Sequence, residues 1–563
     1  MNRITLLSSI AVAALATFIS APQASACGGF FCNNALPVNQ AAERIIFAQA
    51  PDGSITAVIE IQYSGPSESF AWMLPVVGSP DIAVSSNTAF QNLQNATNPQ
   101  YQLTTRVEGT CRDGGGFGLA AGPPRSADSG AEAGGNTDDD VTVVDAGNVG
   151  PYDFVVISVD PGAMDPAQRA AEWLTDNGYD VADFGVDRLA PYLEGGMNLL
   201  AFRLSKGNDA GSIRPVILSF GTGLPSIPLR PTAVAAEDDM GVMVWVLGES
   251  RAVPANYLSL ELNESLINWL NPGANYNDVV TQAANEAGGQ GFVTEMAGDA
   301  PPLADAVYPP WVQSNWADIV GQDWDGRHGA LLERALGAFL SFDGMRDVVR
   351  ETVPLPDDVT LDELLGCPWC YYGSALPTVD GFSPEGFLAA VQADVIDPLD
   401  ETAALFRDIP YVTRLYTTLS SDEMTMDPVF DFNPGLGDYS NVHQAERVIE
   451  CSPSLFQSEA PWRVELPDGT TVRGEGQLWP LTLENVPANR VVRRVGNEGV
   501  GEVVTDNTVA IATAVESSNR DYPTPQSGAF GCAVGGPDEG APLAGLGLLF
   551  ALGLVLRRRR ARA

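Results

Sequence analysis

The sequence predicts an α+β fold with a β-rich N-terminal half, a mixed helical segment and β-hairpins near the C-terminus. Residues 55–63 alternate largely apolar and polar side chains, which is the period of a half-buried strand. Residues 331–340 repeat apolar side chains at helical spacing. Pro467-Asp468-Gly469 is a turn signal near the C-terminus. The 563 residues, of which 45% are hydrophobic, can form a large core or several domains.

The N-terminal half reads as a series of strands with two helices. Pro51-Asp52-Gly53-Ser54 joins the first two strands as a hairpin. Ser86 or Asn87 caps a short helix, and a second helix over 166–177 ends at Gly178. The predicted strands are 43–49, 55–63, 70–77, 101–107, 141–159, 198–204, 216–220, 228–230 and 242–247.

From residue 263 onwards the apolar period becomes helical. Ser383-Pro384 is a helix N-cap followed by proline at the first helical position. The predicted helices are 276–287, 331–340, 383–395 and 398–407. An extended segment over 411–419 and hairpins over 461–515 follow them.

These changes of pattern divide the chain into five parts. Within the second part, residues 112–140 are rich in Gly, Ala, Ser, Pro and Asp and have almost no bulky apolar side chains. We expect a disordered excursion there, because such a segment cannot bury enough surface to offset its ordering entropy. The five parts are a signal peptide (1–26), a β-rich α+β domain (27–262), a mainly helical region (263–410), a mixed, β-rich region (411–531) and a C-terminal segment (532–563).

The charge of the chain excludes one class of partner. Lys and Arg number 30 against 71 Asp and Glu, a net charge of −41. A nucleic-acid-binding protein needs a basic face that displaces counterions from phosphate, so we expect no nucleic-acid partner. The excess of negative charge predicts a soluble surface that repels other copies of the chain.

The N-terminus has the three parts of a secretory signal. Arg3 supplies the positive charge, residues 6–19 form the apolar stretch, and Ala24-Ser25-Ala26 is a small-residue cleavage site. We expect cleavage between Ala26 and Cys27 and export of the chain. The alternatives are a membrane anchor, for which the apolar run is short, and a lipoprotein signal in which Cys27 carries the lipid.

The C-terminal segment combines Gly531-Cys532, a Gly/Pro spacer, an apolar helix over about 542–556 and an arginine cluster at 557–562. This combination resembles the myxobacterial C-terminal sorting signal, which implies that Cys532 is the processing and attachment residue. An ordinary membrane anchor is the alternative, because the apolar helix can just span a thin bilayer. Both interpretations place the bulk of the chain outside the cytoplasm, at the cell envelope or cell surface, with the envelope or membrane as its partner.

Seven cysteines are an awkward number for an exported protein. If Cys532 is used in sorting, six remain, enough for three disulfides in an oxidising compartment. The sequence alone allows many pairings. Spacing favours Cys27 with Cys32 and Cys367 with Cys370, which leaves Cys111 with Cys451.

The second close pair must also be considered as a redox motif. Cys367-Pro368-Trp369-Cys370 has the spacing of a thiol oxidoreductase, in which the first cysteine begins a helix. Here Tyr371-Tyr372-Gly373 is a poor helix start, and no βαβ pattern surrounds it. We therefore favour a structural disulfide over a redox site or a metal site.

A series of motifs along the chain resembles a known family. It resembles the domain of unknown function 2330 family of exported bacterial proteins, over roughly residues 27 to 270. The resemblance implies export but no activity, cofactor or catalytic residue, and residues 112–140 look like a lineage-specific insertion. The motifs are Cys27–Cys32, Pro37–Gln40, Glu43–Ile45, Phe70–Val76, Gly150–Tyr152, Trp173–Tyr179, Pro228–Arg230 and Ala255–Tyr257, with Leu415–Leu419 and Asp427–Pro434 resembling longer members.

The sequence offers few candidates for chemistry. The two histidines, His328 and His443, are far apart, and no nucleophile elbow or phosphate-binding loop is present, so we expect surface or capping roles for both. A stretch of oxygen-bearing side chains provides weak candidates for a calcium site, although its spacing is not that of an EF-hand. These candidates are Asp427, Asp431, Asn433 and Asp438.

Together these observations predict an exported, envelope-associated or surface-displayed bacterial protein with a structural or binding role rather than an enzymatic one. Its partner would be a protein or glycan, and no cofactor is expected. One alternative is an exported carboxylate-dependent hydrolase, with or without Ca²⁺. The other is a thiol oxidoreductase that uses Cys367 and Cys370.

Overall fold

The computed structural model describes residues 39–64, 71–112, 141–179, 183–205, 213–234 and 236–522. Helices make up 31% and strands 32% of the chain, which confirms the α+β class. The predicted signal peptide, nearly all of the 112–140 excursion and the 532–563 segment lie outside the described residues.

The strands of the described residues are numbered in chain order. They are β1 (Asn39–Gln49), β2 (Ser54–Ser64), β3 (Ala71–Val76), β4 (Asp81–Val84), β5 (Gln100–Glu108), β6 (Val141–Val149), β7 (Tyr152–Val159), β8 (Asn198–Leu204), β9 (Val216–Thr222), β10 (Ala236–Gly248), β11 (Ala252–Pro254), β12 (Leu258–Leu262), β13 (Gly291–Asp299), β14 (Tyr411–Leu419), β15 (Phe430–Phe432), β16 (Val442–Glu450), β17 (Trp462–Glu465), β18 (Thr471–Gly474), β19 (Asn489–Arg494) and β20 (Glu502–Asp506).

The helices are numbered in the same way. They are α1 (Asn87–Thr97), α2 (Pro166–Asp176), α3 (Asp183–Glu194), α4 (Leu229–Thr232), α5 (Tyr276–Glu286), α6 (Pro301–Val307), α7 (Pro310–Val320), α8 (His328–Phe339), α9 (Met345–Thr352), α10 (Leu361–Gly366), α11 (Pro368–Tyr371), α12 (Pro384–Val391), α13 (Asp397–Asp408) and α14 (Thr508–Asn519). A π-helical turn, Gln392–Ile396, joins α12 directly to α13.

A ten-stranded sheet with the order β20-β19-β12-β13-β14-β10-β1-β2-β9-β4 organises the molecule. Its pairs are antiparallel except β1 with β10 and β12 with β13. Two four-stranded sheets, β3-β8-β7-β6 and β18-β17-β16-β5, and the pair β11-β15 complete the set. The predicted regions 27–262, 263–410 and 411–531 therefore all contribute strands to this one sheet, and strands from different regions are hydrogen-bonded neighbours in it.

The two faces of the ten-stranded sheet are buried against different layers. Successive side chains of a strand point to opposite faces. In β1, Ile46 and Ala48 therefore pack with Trp245 against the helical layer that contains α1 and α6 to α13. Ile45 and Phe47 point the other way, toward the sheet β3-β8-β7-β6. Helices α2 and α3 cover the outer face of that second sheet.

One end of the ten-stranded sheet forms a separate core with the sheet β18-β17-β16-β5. Strands β12, β13 and β19 supply one side of this core, and α5 and α14 pack against it. Trp269 and Trp462 are its largest side chains, and both are almost fully buried. This arrangement places two sheets face to face at the C-terminal end of the fold.

Two predicted extended segments are helical instead. Residues 228–230 begin the single turn α4, because Pro228 and Pro231 fix φ at values that the first turn of a helix accepts. The hairpins predicted over 461–515 end at β20, and α14 follows. The β-branched residues of α14 favour a strand locally, but Ile511 and Val515, four positions apart, pack together on the core as one helical face.

Within the described ranges, the helices are all too short or too polar to cross a bilayer. The apolar segment predicted over about 542–556 lies outside those ranges.

Candidate functional site

A cleft of about 290 Å³ lies between the end of the ten-stranded sheet and the sheet β18-β17-β16-β5. Strands β12, β13 and β19 contribute one side, and β5, β16 and the turn between β17 and β18 contribute the other. Three tyrosines, four carboxylates, one histidine and one arginine are among the lining residues. Within the described part of the chain, the lining residues are Pro99, Tyr101, Glu261, Leu262, Glu264, Tyr276, Val293, Thr294, Glu295, Tyr439, His443, Pro467, Asp468 and Arg490.

His443 and Glu264 form a pair across this cleft. The Nδ1 atom of His443 lies 2.6 Å from Glu264 Oε1, and both side chains are largely buried. The imidazole stacks on the ring of Tyr101, with centroids 4.7 Å apart and an interplanar angle of 16°. Tyr439 meets the same imidazole edge-on at 6.2 Å. The imidazole is therefore held by one carboxylate and two aromatic rings.

Glu295 is the most deeply buried carboxylate of the lining. Its Oε2 atom lies 2.6 Å from Nε of Arg414, and both side chains are about 2% exposed or less. The two side chains therefore form a buried ion pair. The Tyr276 hydroxyl donates to Glu295 Oε1. Glu295 therefore has a buried positive charge behind it and one phenolic donor.

Arg490 holds the two remaining carboxylates. Its guanidinium lies 3.3 Å from Glu261 and 3.6 Å from Asp468, and all three side chains are partly exposed. Arg414, Arg490 and His443 together face four carboxylates, so the carboxylates outnumber the basic groups. The cleft is acidic overall.

The three tyrosines of the lining remain neutral over a wide pH range. Burial raises the pKa of Tyr439 to about 12, and the charge of Glu264 adds to this shift. Burial also raises the pKa of Tyr101 and Tyr276 well above its ordinary value, and the charges of Glu264 and Glu295 respectively add to the shift. All three therefore offer phenolic hydroxyl groups, not phenolates, at physiological pH.

Among the described residues, the lining includes no serine, cysteine or lysine, and its aliphatic hydroxyl is that of Thr294. Each carboxylate of the cleft has a basic partner, since Glu264 meets His443, Glu295 meets Arg414, and Glu261 and Asp468 meet Arg490.

The four calcium candidates have separate partners. Asp427 accepts hydrogen bonds from the Tyr192 hydroxyl at 2.7 and 2.8 Å, and burial raises its pKa. Asp431 accepts from the backbone of Phe432, and Asp438 accepts from the Tyr411 hydroxyl at 2.9 Å.

Asn433, the fourth candidate, is fully buried. Its amide nitrogen donates to the carbonyls of Gly496 and Gly499 at 2.7 and 2.8 Å, and its oxygen accepts from Gly435 N. Among the residues that the structure describes, no three His, Cys, Asp or Glu side chains converge as a metal site. The amide of Asn433 works as a structural clasp between two loops.

Two pairs of cysteines are bonded. Cys111 and Cys451 follow the parallel strands β5 and β16, whose pairing brings their Cα atoms to 4.8 Å. Cys367 and Cys370, with Cα atoms 5.3 Å apart, flank the first turn of α11. Helix α11 has four residues, so it provides only a minimal helix N-terminus at Cys367. Cys27, Cys32 and Cys532, with the cleavage position at Ala26, lie outside the described residues.

The two histidines have different roles. His328 begins α8 and accepts a hydrogen bond from Val379 N at 3.1 Å, as a helix-terminal residue can. His443 lies in the cleft, not on the surface as its isolation in the sequence suggests. Glu264 and His443 are 179 positions apart, so sequence spacing gave no signal of their contact. The turn after β12, where Asn263 caps Ser265, could have marked Glu264 as a residue in a fixed loop.

Several motifs that carry the family resemblance meet at one loop. Asn256 donates from its side chain to the carbonyl of Asp427 and accepts from Val429 N. The Tyr257 hydroxyl donates to the Met426 carbonyl at 2.6 Å. Arg230 donates to Asp427 through its backbone N–H. These motif residues therefore fix the shape of the 425–429 loop and need no catalytic explanation.

The layers and the cleft define a large α+β protein with an acidic, tyrosine-lined cleft between two sheets. The chain belongs to the family described as an uncharacterized protein conserved in bacteria (DUF2330), which it matches over residues 21–307. The matched range includes Tyr101, Glu264 and Glu295 of the cleft, whereas His443 and Arg490 lie beyond it. Neither a curated protein nor a solved structure matches the chain.

Proposed function

We propose that this chain is an exported bacterial protein, held at the cell envelope, which binds a small ligand in the cleft between its two sheets. The observation that carries the binding role is the composition of the cleft. It is large enough for a small molecule, and it is rich in aromatic and charged groups. Pockets of this composition bind and orient ligands.

Export is supported by the N-terminal sequence and by the cysteines. Disulfides persist in oxidising compartments and are rare in the cytosol. The bonds Cys111–Cys451 and Cys367–Cys370 fit that environment. The membership in a bacterial family and the resemblance of the C-terminal segment to a sorting signal, with Cys532 as attachment residue, support a final location at the envelope or surface.

A non-reducing peptide map of the protein from its own cell envelope tests the export proposal. We expect a chain that begins at Cys27, ends at or near Cys532, and contains the Cys111–Cys451 bond. A chain that keeps Met1 and has free thiols at Cys111 and Cys451 would contradict it.

A thermal-shift screen with cationic, neutral and anionic small molecules tests the binding role. We expect at least one class to raise the melting temperature, since a ligand that binds only the folded state stabilises it. The rise should be lost in Tyr439→Ala, which removes part of the cleft wall. Identical shifts in both proteins, or no shift with any class, would contradict a binding role for the cleft.

The two enzymatic alternatives are less well supported. A thiol oxidoreductase would reduce insulin with Cys367 and Cys370, and the Cys367→Ser variant would abolish that activity. A carboxylate-dependent hydrolase, with or without Ca²⁺, would lose glycoside hydrolysis in Glu264→Gln. We expect neither activity above that of a buffer control.

A further inference from the structure

The proposed cleft has an unequal supply of hydrogen-bond donors and acceptors. Some of its donors are engaged, because Tyr276 donates to Glu295 and the charge of Arg490 is directed at Glu261 and Asp468. Carboxylate oxygens have several lone pairs each, and one donor does not occupy them. With four carboxylates in the lining, acceptor positions outnumber donors even when the hydroxyls of Tyr101 and Tyr439 are counted as donors.

Two further groups add to this acceptor capacity, although each is also a donor. They are the hydroxyls of Tyr101 and Tyr439, two residues of the lining whose side chains have no hydrogen-bond partner within the described part of the chain. A buried polar atom without a hydrogen bond is costly, so an occupant that donates to this region would be stabilising.

The charge of the cleft selects among possible donors. Four carboxylates face three basic groups, Arg414, Arg490 and His443, so the carboxylates are in excess. The excess of negative charge repels anions and attracts cations. The net charge of −41 acts in the same direction over a longer range and raises the local concentration of cations near the cleft.

The residues that line the cleft favour an organic cation over a bare metal ion. Its walls include three tyrosine rings, and aromatic rings attract ammonium groups. The described residues bring no three metal-ligating side chains together. An ammonium group has three donors and no acceptor, which complements the groups that the cleft leaves free.

We propose that the cleft binds a small aliphatic amine, with its ammonium group held by Glu264 and Glu261 and by the hydroxyls of Tyr101 and Tyr439. This inference rests on the binding role proposed above and names the ligand class for the same site. The His443–Glu264 pair positions the central carboxylate, and Arg490 keeps Glu261 and Asp468 at the exposed side.

Isothermal titration calorimetry of the full mature chain with three probes of equal length tests the proposal. The probes are 1,6-diaminohexane, 1,6-hexanediol and adipate, which differ in charge but not in chain length. Aliphatic ammonium groups titrate near pH 10.4, so at pH about 7.5 the diamine carries both charges. We expect the diamine to bind, and the diol and adipate to show no heat of binding.

Matched variants locate the site. Glu264→Gln and Glu261→Gln each remove one negative charge from the cleft with little change in shape, and each should weaken diamine binding about tenfold or more. Glu172→Gln removes the same charge from the exposed face of α2, outside the cleft, and should leave the affinity within about twofold. Circular dichroism and melting temperature establish that each variant is folded.

Each outcome decides between the two proposals. Diamine binding that is lost in both cleft variants and kept in Glu172→Gln supports the amine class. Binding of the diol or of adipate that Tyr439→Ala removes would overturn the amine class but leave the binding role intact. Diamine binding that both cleft variants retain would place the site elsewhere, and absence of binding by all three probes would overturn the amine proposal outright.

Discussion

Arg414 of β14 and Glu295 of β13 form an ion pair in which both side chains are almost fully buried. Their closest atoms are 2.6 Å apart, and neither side chain is more than 2% exposed. Arg414 also donates to Thr97 and Asn98, which ties β14 to the end of α1. The same arginine thus compensates a carboxylate of the cleft and joins the central sheet to its helical layer.

We expect Arg414→Met to lower the free energy of unfolding by about 3–5 kcal/mol, because it leaves the Glu295 carboxylate buried without a compensating charge. Urea unfolding followed by tryptophan fluorescence measures the loss. Arg407→Met, which removes an arginine from an exposed pair with Asp400, is the matched control and should cost less than about 1 kcal/mol. Equal effects of the two variants would contradict this account of the buried pair.

A second prediction concerns Glu43, which lies in β1 between β10 and β2 and is 5% exposed. Burial raises the pKa of Glu43 from 4.5 to about 7. The folded state therefore holds the proton more tightly than the unfolded chain does. The stability that this group contributes is complete below pH about 4.5 and is lost as the pH rises through about 7, a change of about 3 kcal/mol.

Glu43→Gln should remove this pH dependence, because an amide has the shape of the protonated carboxyl and does not titrate. We expect the variant to melt above the wild type at pH 8 and near it at pH 4.5. Melting temperatures across this range provide the measurement. Parallel pH profiles for the two proteins would show that Glu43 does not titrate on unfolding.

The two disulfides should differ in their contribution to stability. Cys111–Cys451 joins residues 340 positions apart, whereas Cys367 and Cys370 are three apart. Cross-linking restricts the unfolded chain more when the closed loop is longer. We expect the double variant Cys111→Ala/Cys451→Ala to lose about 3–5 kcal/mol and Cys367→Ala/Cys370→Ala to lose about 1–2 kcal/mol.

Chemical denaturation of the two double variants beside the wild type measures this difference. The two variants and the wild type are compared under oxidising conditions. The reduced wild type is the reference for the loss of both disulfides. A larger loss from the Cys367–Cys370 pair would mean that native packing, not loop length, sets the contribution.

Asn433 provides a test of the clasp between two loops. In Asn433→Asp, a buried carboxylate would face the carbonyls of Gly496 and Gly499, to which the amide now donates. We expect a loss of about 3 kcal/mol, because the change turns two attractive contacts into repulsive ones. Asn95→Asp makes the same substitution on the exposed side of α1 and should cost less than about 1 kcal/mol. Similar melting temperatures for the two variants would rule out the clasp.

Local patterns predicted much of the fold. Three features are determined by neighbouring residues and form as expected. They are the alternation in β2, the Ser383 N-cap with Pro384 at the start of α12, and the apolar stripe of α8. The failures occurred where tertiary packing outweighs local preference, as in α14. The continuity of α12 and α13 through a π-helical turn was also missed, because Pro398 suggested a break between two separate helices.

The candidate site could not be predicted from local patterns. Its walls come from segments that meet only because β5 pairs with β16 and β12 pairs with β19. From the sequence, we expected His443 to be a surface or capping residue. In the structure it contacts Glu264 in the cleft. The calcium candidates show the converse relationship, since Asp427 and Asn433 are close in sequence but are hydrogen-bonded to different parts of the molecule.

The pairing of β5 with β16 also has a consequence for the order in which the chain becomes structured. Tyr101 of β5 cannot pair with His443 of β16 until the residues between them have been synthesised, which takes on the order of half a minute. During that interval β5 presents an open edge that can pair with other chains. A nascent chain of this protein therefore keeps β5 without its partner strand until β16, about four fifths of the way along the sequence, has been made.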